Sequence, residues 1–210
     1  MPKPPAFDVH PGVEMVRKWA AELPAKTGRS LAQWAKFVAA SGIPERKDRI
    51  AWLKDEHELG TNTAWQIVMY AEDRATWDGD PDVYLKHADQ YVADMFAGAK
   101  AGLKPIFDAL VAEGRKLGTD VKVCPCKTIV PFYRDRVFAE IKPATKARLE
   151  FSLALGDEPF AGRLRPNPRA KGNDRLRHQF HLASVADIDA DVLRWLKTAY
   201  DRDATDSRPS

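Results

Sequence analysis

Along most of the chain the apolar residues recur at three- and four-residue intervals, and only between Lys127 and Leu155 does the period drop to two. In residues 148–155, Leu149, Phe151, Leu153 and Leu155 alternate with polar or small residues, as in a strand with one face on a core and one in solvent. Residues 128–133 and 137–141 are β-branched or aromatic runs separated by Arg134-Asp135-Arg136, a hairpin-sized polar break. Together these runs predict a three-stranded antiparallel meander. Val121-Lys122-Val123 predicts a short strand before it, which Pro125 confines to an edge or bulge. Alternation over 177–183 predicts a last strand. The intervening stretch, 156–174, is rich in Gly, Pro, Arg and Asn and reads as a long mobile loop.

Helical periods dominate elsewhere. Val13, Val16, Trp19, Ala20 and Leu23 predict a first helix stopped by Pro24. Ser30 and Gln33 form a capping-box pattern ahead of Leu31, Trp34, Phe37 and Val38, and Gly42 ends that helix. Pro44 suits the first turn of a third helix bearing Ile50, Trp52 and Leu53, and a fourth begins around Asn62. Trp19, Trp34, Trp52 and Trp65 are expected to fill this small core. Residues 82–117 read as long helical structure interrupted at Gly98, Gly102 and Pro105, with 104–116 lying against the sheet. A closing helix over 188–201 takes Asp187 as its cap. The predicted class is α+β: a bundle of about four helices, then a helix, antiparallel meander and helix. Expected boundaries are a tail at 1–12, a helical domain at 13–75, a linker at 76–86, an α+β domain at 87–202 and a tail at 203–210.

The composition, 44% apolar and 30% charged in 210 residues, is that of a soluble protein. No run reaches the roughly 18 apolar residues of a membrane helix, and the start lacks an apolar export segment, so a cytoplasmic location is expected. Cys124 and Cys126, one residue apart, fit a reducing compartment. The net charge is only +3. It is unevenly spread, because residues 121–183 hold thirteen Lys or Arg against six Asp or Glu, leaving the rest at minus four. Basic charge on the strand-rich part favours an anionic partner such as nucleic acid, with Arg134, Arg136, Lys142, Lys146 and Arg148 as the candidate contacts.

A second candidate is the turn before the fourth helix, where Gly60, Thr61 and Asn62 resemble the second half of a helix-hairpin-helix. A glycine there lets unpaired helix N–H groups approach a phosphate. Glu58 stands where such hairpins usually carry another glycine, and its charge opposes phosphate. The alternative reading is a small-molecule or enzymatic pocket between helices and sheet, with Lys127 and Tyr133 as its polar groups. No cofactor and no metal site are predicted: Cys124 and Cys126 would need a histidine, and His178 and His181 point to opposite faces of one strand. Glu140-Ile141-Lys142 resembles the acid-x-Lys element of metal-dependent nucleases but reads as a solvated pair on the wet face. With no nucleophile elbow, P-loop, dinucleotide fingerprint or HExxH, no catalytic residue is assigned. The leading reading is a non-enzymatic binding protein.

The runs KTGRSLAQWAKF, IAWLKDEHELGTNTAWQIV, MFAGAKAGLKPIFDAL, TIVPFYRDRVFAEIKPATKARLEFSLAL and VLRWLKTAYDR together resemble a family of uncharacterised bacterial proteins. The family pairs a short N-terminal helical domain of unknown function with a C-terminal α/β domain of unknown function, sometimes labelled a predicted transport protein. The resemblance covers roughly residues 13–202 and implies no established activity. Its members tend to carry Gly-Leu-Gly where this chain has Glu58-Leu59-Gly60. The element order also resembles frataxin-like and double-wing domains, some proposed to bind DNA or iron, a likeness of fold that does not carry function.

Overall fold

Two hydrophobic cores, built from different parts of the chain, emerge in a computed structural model that describes residues 6–72 and 79–206. Residues 1–5, 76–78 and 207–210 of the expected tails and linker lie outside the described residues. One unit is helical, Pro11–Tyr84; the other joins Met1–His10 to Leu85–Ser210 and holds the sheet.

The helical unit contains α1 (Pro11–Thr27), α2 (Leu31–Ala40), α3 (Arg46–Asp55) and α4 (Thr61–Ala71). Leu23, Trp34, Val38, Leu53, Ile67 and Val68 are its buried centre. The capping box forms as expected, with Ser30 N–H on Gln33 Oε1 at 2.8 Å and Gln33 N–H on Ser30 Oγ at 3.3 Å. Two expectations fail. Pro24 does not stop α1: a proline removes a single helical donor, and the helix closes only when Gly28 N–H reaches the Pro24 carbonyl at 2.8 Å. Trp65 is 50% exposed, because it falls outside the face of α4 that carries Ala64, Ile67 and Val68.

α5 (Pro81–Met95) begins in the helical unit, so the expected linker is helical from Pro81 onward. A 3-10 turn, Gly98–Leu103, and α6 (Lys104–Lys116) follow, then β1 (Lys122–Val123), β2 (Val130–Tyr133), β3 (Val137–Lys142), β4 (Leu149–Leu153), β5 (Arg165–Pro166), β6 (His178–Leu182) and α7 (Ala190–Asp206). The class is α+β. The strands form one antiparallel sheet in the order β1-β2-β3-β4-β6-β5. Ile141, Phe151 and Phe180 pair across β3, β4 and β6 and are fully buried in a core shared with Phe107 and Leu110 of α6 and Val192 and Leu196 of α7. Burying each large side chain contributes about 1.5–3 kcal/mol. Among the described residues no helix is long and apolar enough to cross a membrane.

The other face of the sheet, expected to be wet, is buried and polar. Pro131, Glu140, Ser152 and Gln179 align across β2, β3, β4 and β6, and Glu140 is only 7% exposed. The glycine- and proline-rich stretch supplies the cover. Buried Asn167 accepts a hydrogen bond from Gln179 Nε2 at 3.1 Å and donates to the Leu176 carbonyl at 2.7 Å. Arg169 Nη2 donates to Glu140 Oε1 at 2.8 Å. Contrary to expectation, then, Glu140 is not solvated and the loop does not hang free.

Both chain ends are also more engaged than the sequence suggests. Asp8 N–H donates to the Val123 carbonyl at 2.9 Å, and Asp8 Oδ2 accepts Val123 N–H at 2.8 Å, which places residues 6–10 along the free edge of β1. Phe7 packs against Phe107, ring centroids 6.5 Å apart. At the far end Asp187 closes a 3-10 turn, and the cap of α7 passes to Asp189, whose Oδ1 accepts Val192 N–H at 3.1 Å. The helix continues past residue 203.

Candidate anion-binding site

In the helical unit, the turn after α1 and the turn after α3 border one cavity of about 650 Å³. Trp19, Leu23 and Trp34 give it apolar walls, Lys26, Arg29, His57 and Thr63 supply polar groups, and Glu58 adds one carboxylate. Its rim includes Gly60, the N-cap of α4. Glycine offers no side-chain acceptor, so the first-turn N–H groups of α4 lack the cap that Ser, Thr, Asp or Asn would provide. The helix dipole adds positive potential at that end.

Arg29 and His57 are held by aromatic rings. The guanidinium of Arg29 lies 4.0 Å from the Phe37 ring centroid and 4.8 Å from that of Trp34. Stacking of this kind fixes a cation without neutralising it. The His57 ring sits edge-on to Trp34, Phe37 and Trp52, at 5.5, 5.1 and 4.8 Å. Each residue keeps one buried nitrogen, Arg29 Nη1 and His57 Nε2, with no hydrogen-bond partner among the described residues. An unpaired buried group costs about 1–3 kcal/mol.

Thr61 and Asn62 are exposed at the open helix end, and Trp65 shares their side of α4, four and three residues on. Glu58 adopts φ +54°, the left-handed region that glycine occupies without strain. Of the residues singled out from the sequence, Gly60 borders this cavity; Lys26, Arg29 and His57 come from other turns and follow no spacing rule.

The five cations of the meander do not form one surface. Arg134 and Arg136 lie in the β2–β3 turn, whereas Lys142, Lys146 and Arg148 lie at the β3–β4 end of the sheet. Arg134 is committed inside the protein: its Nε meets Asp120 Oδ2 at 2.6 Å, and its guanidinium stacks on Tyr200 at 4.1 Å. The Tyr200 hydroxyl and then Arg134 hold the Asp120 carboxyl below its ordinary value. Lys146 and Arg148 are exposed; Lys142 is half-buried.

Tyr133 and Lys127 are likewise apart in role. Lys127 lines a cleft beside Lys100 and Lys142, and Tyr133 is absent from that lining. The Tyr133 hydroxyl instead meets His10 Nε2 at 3.1 Å. Burial above all, then the Cys126 and Cys124 thiols and Glu140, pushes that phenol up to about 12. Burial, with Glu140 next, pushes the Cys126 thiol up to about 11, and burial raises Cys124 too. Neither thiol is therefore an ionised nucleophile at neutral pH. Among the described residues no three His, Cys, Asp or Glu side chains gather as metal ligands.

Burial also holds His10 below its ordinary 6.5. The folded sheet unit keeps this imidazole neutral while the unfolded chain protonates it. Its contribution to stability is thus present above pH 6.5 and lost as pH falls through the lower folded value. Urea unfolding followed above and below pH 6.5 should show a smaller acid-side loss in a His10→Phe variant than in the native chain. His181, lowered chiefly by burial and then by Arg148 and Arg165, leaves a residual slope in both. Equal losses in the two proteins would refute the assignment.

Residues 92–203 match the profile of a domain of unknown function, DUF5655, and residues 16–73 match that of a second, DUF4287. No curated protein and no solved structure matches the chain. The first match takes in α6 and the whole sheet; the cavity at the end of α4 falls within the second. Since the first match spans more than half of the 210 residues, the chain belongs to the DUF5655 family and carries a DUF4287 domain ahead of that region.

Proposed function

We propose that the protein is a non-enzymatic binding protein whose helical unit takes a phosphate of a nucleic acid at the N-terminus of α4. The observation that carries this reading is an uncapped helix end bordering a cavity that Arg29 and His57 also line. Lys26 lines the same cavity but is paired with Glu22 at 2.7 Å, and Trp65 offers an exposed ring on which a base can stack. At the β3–β4 end of the sheet unit, Lys146 and Arg148 supply further sequence-independent phosphate contacts. Arg134 drops out of the set because Asp120 already neutralises it.

Asn62→Asp separates binding from folding. A carboxylate in the first turn stabilises α4 by about 0.3–1 kcal/mol through the helix dipole. The same charge repels phosphate, so oligonucleotide affinity measured by fluorescence anisotropy should fall about tenfold while the melting temperature holds or rises. Native affinity should also decline steeply with salt, because each neutralised phosphate releases counterions. Affinity indifferent both to salt and to this substitution would end the proposal.

A further inference from the structure

A separate cleft of about 590 Å³ in the sheet unit draws together three lysines from distant points of the chain: Lys100 from the 3-10 turn after α5, Lys127 ahead of β2, and Lys142 at the end of β3. Lys100 is anchored, its Nζ donating to the Pro143 carbonyl at 2.7 Å. An ammonium carries three donors, so this bond leaves the charge and two N–H groups for a ligand.

Lys142 stands directly across the ladder from Glu150, the position where a cross-strand ion pair is expected. That carboxylate instead lies 3.5 Å from Arg169 Nε, and no ion pair joins it to Lys142. Lys127 is exposed and, like Lys142, has no carboxylate partner among the described residues. The cleft's only carboxylate, Asp94, already accepts Gln90 Nε2 at 2.7 Å. Three positive charges thus share a concavity with one carboxylate among the described residues.

Met95 and Pro143 give the same cleft an apolar floor, and Thr128 adds a hydroxyl at its edge. Its volume is within the range of small-molecule sites. We infer that this cleft binds a small phosphorylated molecule with an apolar or aromatic body, its phosphates on Lys100, Lys127 and Lys142 and its body against Met95 and Pro143. The inference does not rest on the nucleic-acid reading, since it uses another unit and other residues.

The test uses ATP as the probe, with pyrophosphate as the same chemistry lacking a body, measured by isothermal titration on the full chain. ATP should bind saturably and more tightly than pyrophosphate. Lys127→Gln and Lys142→Gln should each weaken ATP about tenfold, the loss of one charge-assisted hydrogen bond. Both are surface changes, and unaltered melting curves would verify folding. Asn62→Asp should leave the Lys127- and Lys142-dependent ATP binding intact, so failure here and failure of the nucleic-acid reading are distinguishable. No saturable ATP binding, binding that both lysine variants leave unchanged, pyrophosphate binding as tight as ATP, or an oligonucleotide occupying the lysines in place of ATP would overturn the inference.

Discussion

Asp203→Ala is expected to destabilise the sheet unit by about 3–5 kcal/mol, the loss typical of breaking a buried ion pair by removing one partner. Asp203 is fully buried. Its Oδ2 accepts the Asp135 and Arg136 backbone N–H groups, each at 2.9 Å, and its Oδ1 accepts Arg175 Nη1 at 2.8 Å. Alanine would take this carboxylate from the partly exposed Arg175 guanidinium and from the two backbone N–H groups of the β2–β3 turn at once. Asp203→Asn retains an oxygen for the turn but gives up the charge pairing, so a smaller loss, about 1.5–3 kcal/mol, is expected. Thermal unfolding followed by circular dichroism should show alanine falling on the order of 10 °C, with asparagine between it and the native chain. A loss under about 1 kcal/mol for alanine would mean that Arg175 and the turn find other partners.

The second large effect is expected at Gly114. An alanine usually gains about 1 kcal/mol over glycine inside a helix. Here a Cβ would stand 2.3 Å from Phe132 Cε2 and 2.8 Å from Cδ2. Phe132 has nowhere to retreat: it is fully buried in β2, with Phe138 edge-on at 6.2 Å between centroids. Overpacking of this kind costs about 1–3 kcal/mol and occasionally more, so Gly114→Ala should be net destabilising despite its helix propensity. Phe132→Leu frees the space that the methyl needs. The double variant should therefore be more stable than the sum of the single losses, a coupling that denaturant midpoints can measure. Simple additivity would show that the ring and the glycine do not meet.

Where periodicity governs, the sequence was legible. The meander, the edge strand before it, the last strand and the helix over 104–116 all follow from apolar spacing, and Ser30 with Gln33 follows from local chemistry. What escaped was set by long-range register. That Glu140, Ser152 and Gln179 share a row depends on which strands are neighbours, and that Asn167 and Arg169 cover them depends on a segment without any period. A strand whose second face is buried under polar cover alternates just as a half-exposed one does, so the pattern could not tell them apart. The split of the meander cations, by contrast, could have been inferred: two turns at opposite ends of six-residue β3 are roughly 20 Å apart. The cavity residues Arg29 and His57 left no such clue, since an arginine beside a cap and a histidine in a turn are ordinary sequence.

The residues lying along β1 bear on how this protein can recognise anything at all. One rim of the sheet is occupied by Asp8, through both its main chain and its carboxylate, and the opposite rim is a two-residue strand ending in Pro166, which has no N–H to offer. At Val123 on one rim and at His178 and Gln179 on the other, the main chain is already taken up against a visiting peptide that would extend the ladder, the route many sheet proteins use to capture ligands. Whatever docks on the sheet unit must be distinguished by side chains instead, by their charge and reach.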